Sequence, residues 1–95
     1  MTIHDRVAHN IKDIRRYRGL SQEALAADAS VSRGYMGKLE NAKHSVTLFK
    51  LERIANALEI DPFVLLLPRW PEKGRLISFI ENQGGYIDLF QGRSA

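Results

Sequence analysis

The sequence feature that most constrains the fold is a pair of short helical segments joined by residues 29–31. Each segment begins with a serine, Ser21 or Ser32, a residue favoured at the N-cap because its hydroxyl accepts a hydrogen bond from a free backbone N–H. Apolar residues stand directly before each serine and four positions after it, at the spacing of a hydrophobic staple. These residues are Leu20 and Leu25 in the first segment, and Val31 and Met36 in the second. The pattern predicts two short helices in a helix-turn-helix layout.

Three further helices are predicted from the spacing of apolar residues and from signals at helix ends. The first helix places apolar residues at three- and four-residue steps and ends at Gly19. These apolar residues are Ile3, Val7, Ile11 and Ile14. Thr47 caps a fourth helix, whose apolar stripe consists of Leu48, Leu51, Ile54, Ala55 and Leu58. Asp61 and Pro62 are an N-cap and a first helical residue, and they open a short fifth helix. We therefore expect an all-α domain of five helices over residues 1–67.

The fifth helix is followed by a C-terminal extension, residues 68–95, in which apolar spacing predicts a sixth helix over about residues 72–83 and a frayed end. Residues 63–67 are apolar on every side, and a single-turn helix on a small domain cannot bury all five of them. An exposed apolar patch usually marks a partner surface. We expect Phe63, Leu65 and Leu66 to form the seam of a symmetric homodimer. The alternative is burial of this patch by the tail.

The excess positive charge of the chain is confined to the half that contains the helix-turn-helix. Residues 1–45 hold eight Lys or Arg and five Asp or Glu, whereas residues 46–95 hold six of each. A basic half beside a neutral one favours a polyanionic partner. Because the excess is only +3, an ordinary solvated surface would be the preferred interpretation if the charge were the only clue.

Several classes of protein are disfavoured by what the sequence lacks. Its longest apolar run is five residues, against about 20 for a membrane-spanning helix. The N-terminal residues carry charges throughout and form no signal peptide. The absence of cysteine removes disulfides, thiolate catalysis and cysteine-based metal sites. The three histidines form no catalytic or metal-binding motif. We expect no enzyme activity, metal, cofactor or membrane association, and a cytoplasmic location.

The outward face of the third helix is the strongest candidate for a binding surface. At 100° per residue, one set of residues falls within about 140°: Arg33, Gly34, Gly37, Lys38 and Asn41. The opposite side holds Met36, Leu39 and Glu40. The second helix of a helix-turn-helix enters the major groove, where arginine pairs with guanine and lysine reaches the same acceptors or a phosphate. The bare glycine positions would let the helix backbone approach the bases. The alternative for such a face is plain solvation.

The order of motifs over residues 7–67 resembles the phage-repressor-type (Cro/cI, XRE-like) helix-turn-helix family. The likeness is carried by Arg15, by GLSQ at 19–22, by LA at 25–26, by VSRGY at 31–35 and by LEN at 39–41. Within the family, RGYMGKLENAKHSVTL is most similar to the controller proteins of restriction–modification systems. The resemblance implies a lambda-repressor-like fold and sequence-specific binding to double-stranded DNA as a homodimer.

Site residues are implied by position in the same resemblance. Base-reading positions are matched by Arg33, Gly34, Tyr35 and Lys38. Positions that contact the DNA backbone are matched by Gln22, Ser32, Asn41, Lys43, His44 and Ser45. Arg15 and Glu40 match a structural pair that joins the first helix to the third.

In two places the chain departs from the glycine that this family often has. These places hold Ser30, in the turn between the second and third helices, and Ala42, directly after Asn41. Serine is tolerable in the turn because its short polar side chain can form a local hydrogen bond. Alanine at positive φ costs about 1 kcal/mol. We therefore expect Asn41 to adopt the left-handed conformation in place of Ala42.

We interpret the chain as a nucleoid-associated transcription regulator, of repressor or controller type, that binds a palindromic operator as a dimer. The alternative is a DNA-binding antitoxin whose C-terminal tail binds a toxin. In that alternative the aromatic residues of the tail, which include Trp70 and Phe79, are contacts to a protein partner. In the first interpretation the same residues pack on their own domain or extend the dimer.

Overall fold

The computed structural model describes residues 2–68, which form five α-helices and contain no strand. The helices are α1 (Ile3–Tyr17), α2 (Gln22–Asp28), α3 (Arg33–Glu40), α4 (Leu48–Leu58) and α5 (Pro62–Leu66). The predicted all-α order of five helices is confirmed. The predicted sixth helix, the other tail residues after Pro68 and the aromatic residues of the antitoxin alternative lie outside the described residues.

Each of these helices begins at a polar residue whose side chain accepts a hydrogen bond from the first turn. Ser21 and Ser32 each accept one, at 3.0 Å, from the backbone N–H three residues further along the chain. Thr2 and Thr47 cap α1 and α4 in the same manner, and Asp61 caps α5 by accepting from the N–H two residues further along. Because an N-cap depends on residues within one helical turn, the starts of α2 to α5 were readable from the sequence.

Four of the helices end in one common turn geometry, in which two backbone N–H groups donate back to carbonyls near the helix end. One residue of each turn must adopt the left-handed conformation. These residues are Gly19 (φ +74°), Ser30 (φ +59°), Ala42 (φ +58°) and Glu59 (φ +60°). Glycine therefore occupies one of the four left-handed positions, and residues with a Cβ occupy the other three.

The turn after α3 contradicts the expectation that Asn41 takes the left-handed conformation. Asn41 has φ −98°, and Ala42 has φ +58°. The N–H of Ala42 donates to the carbonyl of Leu39 at 3.1 Å, and the N–H of Lys43 donates to the carbonyl of Lys38 at 2.8 Å. These two hydrogen bonds satisfy carbonyls at the end of α3 only when the left-handed residue is Ala42. These two backbone hydrogen bonds therefore offset the steric penalty of the Ala42 Cβ in the left-handed conformation.

The core lies where α1 packs on α3 and α5, and where α2 packs on α3 and α4. Its fully inaccessible apolar residues include Ile11, Ile14, Leu25, Met36, Ile54, Leu58, Val64 and Leu65. Two residues that the sequence assigned to buried stripes are exposed: Ile3 by 48% and Leu48 by 81%. Both are the first residues of their helices and lie at the edge of the packed region.

The short helix α5 is anchored by a buried polar side chain on α1. Asn10 is fully buried, and its Nδ2 donates to the carbonyls of Leu65 at 3.1 Å and Leu67 at 2.8 Å. Leu65 is inaccessible, whereas Phe63 and Leu66 are 37% and 38% exposed. The expectation that Leu65 lies in a seam between protomers is therefore wrong, because its side chain is part of the core of its own protomer.

Candidate nucleic-acid interface

The helix α3 buries its apolar side and presents a polar outer face. Met36 is 0% exposed and Leu39 is 2% exposed, whereas Arg33, Gly34 and Lys38 are exposed. The helices α1 and α2 pack behind α3 and hold it against the core. Ser32 uses its Oγ as an acceptor for the N-cap. A hydroxyl in that role keeps its proton available for a further hydrogen bond.

Neither glycine of α3 is required by the packing of the protein. A Cβ added to Gly34 would meet no atom within 4 Å. A Cβ added to Gly37 would lie 3.8 Å from Oε1 of Gln22, which is an ordinary van der Waals contact. Both have the negative φ of a helix, so no backbone strain demands glycine at these positions. The two glycines also differ in setting, because Gly34 is open to solvent and Gly37 is half-buried beside α2.

A hydrogen-bonded ion pair fixes the position of α3 relative to α1 and α2. The Nε of Arg15 donates to Oε2 of Glu40 at 2.7 Å, and its Nη2 donates to Oε1 at 3.1 Å. The same guanidinium donates to the carbonyl of Leu20 at 2.8 Å, and Gln22 donates to Oε1 of Glu40 at 3.0 Å. The side chain of Glu40 is 1% exposed. Breaking such a pair leaves a buried charge without compensation, so the network restricts how α3 can tilt.

This network also limits the hydrogen bonds that the Gln22 side chain can make with an external partner. One of its amide N–H groups is committed to Glu40, and its Oε1 faces Gly37. The side chain of Gln22 therefore retains one N–H for an external acceptor. The backbone N–H groups at the start of α2 add to the attraction for an anion at that position.

Tyr35 lies at the edge of the face and is built into the protein on three sides. Its hydroxyl donates to the carbonyl of Ser45 at 3.5 Å, and its ring stacks on His44 with centroids 5.8 Å apart. The Nζ of Lys50 lies 4.3 Å from the ring centroid, in a cation–π contact. Burial raises the pKa of the Tyr35 phenol above its usual value of 10.0, so the hydroxyl keeps its proton at neutral pH. Tyr35 thus supports the loop after α3 from the side of the helix.

The loop after α3 is held between α3 and the start of α1. His4 Nε2 lies 3.2 Å from Oγ of Ser45. The backbone-contact candidates Asn41, Lys43, His44 and Ser45 are all exposed. A polar cleft of about 250 Å³ is lined by Thr2, His4, Ala42, Lys43, His44 and Ser45. The structure therefore brings Lys43, His44 and Ser45 together beside the N-terminus of α1, whereas Asn41 does not line this cleft. His4 was missed by sequence reasoning because nothing in its local sequence links it to this loop.

Two arginines that sequence reasoning did not single out hold helix ends in place. Arg53 on α4 donates from Nε to the carbonyl of Ala29 at 2.9 Å and from Nη2 to the carbonyl of Ser30. Arg18 donates to the carbonyls of Leu58 at 3.0 Å and Glu59 at 3.3 Å. Arg53 thereby stabilises the turn between α2 and α3. No local sequence signal could have identified these roles, because the acceptors are backbone carbonyls on distant segments.

An exposed apolar surface lies beside the loop after α3, because His44 and Val46 are among the residues that line its groove. A groove of about 190 Å³ is lined by the exposed residues Ile3, Leu48 and Leu66 and by the buried residues Val7, Leu39 and Leu51. The exposed apolar surface thus extends from α5 to the starts of α1 and α4. It is wider than the α5 patch that the sequence suggested.

Within residues 2–68, no helix is long and apolar enough to cross a membrane. In the same range, no group of three or more His, Asp or Glu side chains is arranged to hold a metal ion.

Comparison with known proteins assigns the class. Residues 6–64 match the helix-turn-helix domain family, so the chain belongs to that family. Its relatives are transcription regulators of the XRE-like type, which confirms the resemblance seen in the sequence. The described helices supply the elements of that domain in the expected order.

Among these relatives are restriction–modification controller proteins. The control protein C.SmaI of Serratia marcescens is 38% identical over 58 residues, 61% of this chain and 69% of that protein. The crystal structure of the controller protein C.AhdI of Aeromonas hydrophila has a TM-score of 0.64 and 32% identity. That match covers 65% of this chain and 94% of that one. A Neisseria meningitidis hypothetical transcription factor is 34% identical over 62 residues, 65% of this chain and 58% of its own length.

Proposed function

We propose that this protein is a sequence-specific, DNA-binding transcription regulator of the repressor or controller type, which binds a palindromic operator as a homodimer. The observation that carries the proposal is the outer face of α3. It has exposed Arg33 and Lys38 with the bare Gly34 beside them, on a helix fixed from behind by the Arg15–Glu40 pair. Because its ligand is double-stranded DNA, we also propose a cytoplasmic, nucleoid-associated location.

The side chains divide between base edges and phosphates. Arg33 and Lys38 read base edges in the major groove, and the open backbone at Gly34 permits close approach. Tyr35 contributes the edge of its ring, since its other sides are occupied by His44 and Lys50. The phosphate contacts come from Gln22, Ser32, Asn41, Lys43, His44 and Ser45. They position α3 in the groove and make the affinity dependent on salt.

The homodimer is supported by the exposed apolar residues of α5 and its surroundings. Phe63 and Leu66 remain candidates for the seam, and Leu48 and Ile3 extend the same apolar surface. A two-fold axis at this surface presents the two copies of α3 to successive major grooves about 34 Å apart. The proposed operator is consequently a palindrome with half-sites about one helical turn apart.

The proposal is tested by selecting bound fragments from a pool of random DNA duplexes with the purified full-length protein. We expect enrichment of a motif with two-fold symmetry, and an affinity for it that falls linearly with salt concentration on logarithmic axes. Light scattering on the free protein should give the mass of a dimer. Failure to enrich any motif would contradict sequence-specific binding. Enrichment of a single asymmetric half-site by a monomer would contradict the dimer.

A further inference from the structure

Glu23 makes the one exposed ion pair that reaches α3 within the described residues. Its Oε1 lies 3.6 Å from Nε of Arg33, and the two side chains are 73% and 68% exposed. Glu23 is the second residue of α2, and Arg33 is the first residue of α3. The contact therefore joins the starts of the two helices at the edge of the polar face. Sequence reasoning did not assign a role to Glu23.

The helix dipoles act differently on the two charges of this pair. A carboxylate in the first turn of α2 is favoured by the positive end of the helix dipole, whereas a guanidinium at the first position of α3 is disfavoured by it. Glu23 offsets that unfavourable position of Arg33. Exposed pairs of this kind contribute little to folding, because solvent screens them and two long side chains must be ordered. The contact should therefore affect DNA binding more than it affects the stability of the fold.

The geometry of the Arg33 guanidinium determines which of its N–H groups can bind DNA. Arginine carries five N–H donors in a rigid planar fork. Where Nε faces Glu23, the two terminal amino groups remain free, and these form the edge that can pair with O6 and N7 of guanine. The carboxylate also opposes the approach of phosphates to the same guanidinium. One acidic residue can thus orient Arg33 toward a base and weaken its attraction to DNA of any sequence.

We propose that Glu23 is a positioning residue that determines specificity by holding Arg33 in the orientation that reads guanine. This inference rests on the proposed DNA-binding function. It predicts that removing the charge of Glu23 has two opposite effects. Affinity for unrelated duplexes rises, because Arg33 is released to phosphates and a negative charge is lost from the interface. Preference at one base position falls, because the guanidinium is no longer oriented.

The test uses the full-length protein and its Glu23→Gln, Arg33→Ala and double variants, with Asp28→Asn as the matched control. Asp28 is an exposed acid at the other end of α2, so its neutralisation changes the net charge equally. Each protein is put through selection from one pool of random duplexes. Fluorescence anisotropy then gives its affinity for the wild-type-selected duplex and for a scrambled duplex. Thermal denaturation of Glu23→Gln should show at most the small loss of stability that follows from removing an exposed carboxylate in the first turn of α2.

For Glu23→Gln we expect the ratio of selected to scrambled affinity to fall about tenfold, with relaxed preference at the base pair that Arg33→Ala also relaxes. In the Arg33→Ala background, Glu23→Gln should change no base preference, because the two residues act as a unit. A ratio and a base preference that match those of Asp28→Asn would overturn the inference. A loss of preference that persists without Arg33 would also overturn it, since Glu23 would then contact a base directly. A wild-type protein that enriches no motif would instead refute the proposed function.

Discussion

Replacement of the two glycines of α3 by alanine should change stability and DNA binding in opposite directions. Alanine in a helix interior is favoured over glycine by about 1 kcal/mol. The added Cβ meets nothing within 4 Å at position 34 and only an ordinary contact at position 37. Gly34→Ala, at the second residue of α3, should therefore stabilise the fold by less than this interior value, and Gly37→Ala should stabilise it by about 1 kcal/mol. In a domain of this size that raises Tm by about 4–8 °C.

The DNA-bound state should respond differently at the two positions. If Gly34 allows the helix backbone to approach base edges, a methyl group there must push α3 outward, and overpacking of this kind costs about 1–3 kcal/mol. The operator affinity of Gly34→Ala should then fall by roughly fivefold to 150-fold. Gly37 is half-buried beside Gln22, so its methyl group is partly sheltered by α2 and the loss should be smaller. Gly37→Ala is thus the matched comparison for Gly34→Ala.

Thermal denaturation and fluorescence anisotropy on the selected operator measure the two effects on the same preparations. A higher Tm with weaker binding for Gly34→Ala is the expected result. The reasoning is refuted if Gly34→Ala raises Tm and binds the operator as tightly as the wild type, because glycine would then be merely tolerated on this face. A lower Tm would refute the packing argument itself.

Five other substitutions give distinct expected outcomes. Arg33→Ala should lose about 1–3 kcal/mol of operator binding and relax the preference at one base position, whereas Lys43→Ala should weaken the affinity for specific and scrambled duplexes alike. Fluorescence anisotropy on both duplexes separates these two patterns. A uniform loss of affinity for Arg33→Ala would make Arg33 a phosphate contact. Ala42→Gly should raise the free energy of unfolding by about 1 kcal/mol in urea titrations, because glycine carries no Cβ penalty at φ +58°; a decrease would contradict the turn geometry after α3. Leu66→Glu should dissociate the dimer, as measured by light scattering, and leave the helical circular dichroism unchanged. Leu65→Ala should instead destabilise the protomer by about 2–5 kcal/mol. A Leu66→Glu protein that stays dimeric would show that the seam lies elsewhere.

The starts of α2 to α5 and the outer face of α3 could be predicted from the sequence. Ser21 and Ser32 cap their helices through hydrogen bonds that span three residues. Met36 and Leu39 point inward because helical periodicity places them outside the arc that runs from Arg33 to Lys38. These features depend on neighbours within one or two turns of the chain. The order of the motifs then sufficed to indicate the XRE-like helix-turn-helix family.

Three errors have different physical causes, and only the error at Leu65 arises from a contact between distant segments. Ala42 adopts the left-handed conformation because two backbone hydrogen bonds at the end of α3 require it there, against the local preference for asparagine. Leu65 is buried because Asn10, more than 50 residues away in the sequence, donates a hydrogen bond to its carbonyl and holds α5 against α1. Leu48 belongs to the apolar stripe of α4 by periodicity, yet it projects beyond the core at the first residue of the helix.

The sequence by itself determined the helix order, the N-caps and the polar face of α3, because propensity, capping and periodicity act over short stretches of chain. The tertiary structure decided which apolar residues of α5 remain outside, where the loop after α3 is clasped between His4 and Tyr35, and which arginines are left for a ligand. Arg15, Arg18 and Arg53 donate to carbonyls or to Glu40 within the protein, whereas Arg33 remains exposed on α3 beside Glu23. Those assignments depend on acceptors that only the packed chain brings into reach, because hydrogen bonds and ion pairs form over a few ångströms of space, whatever the separation along the sequence.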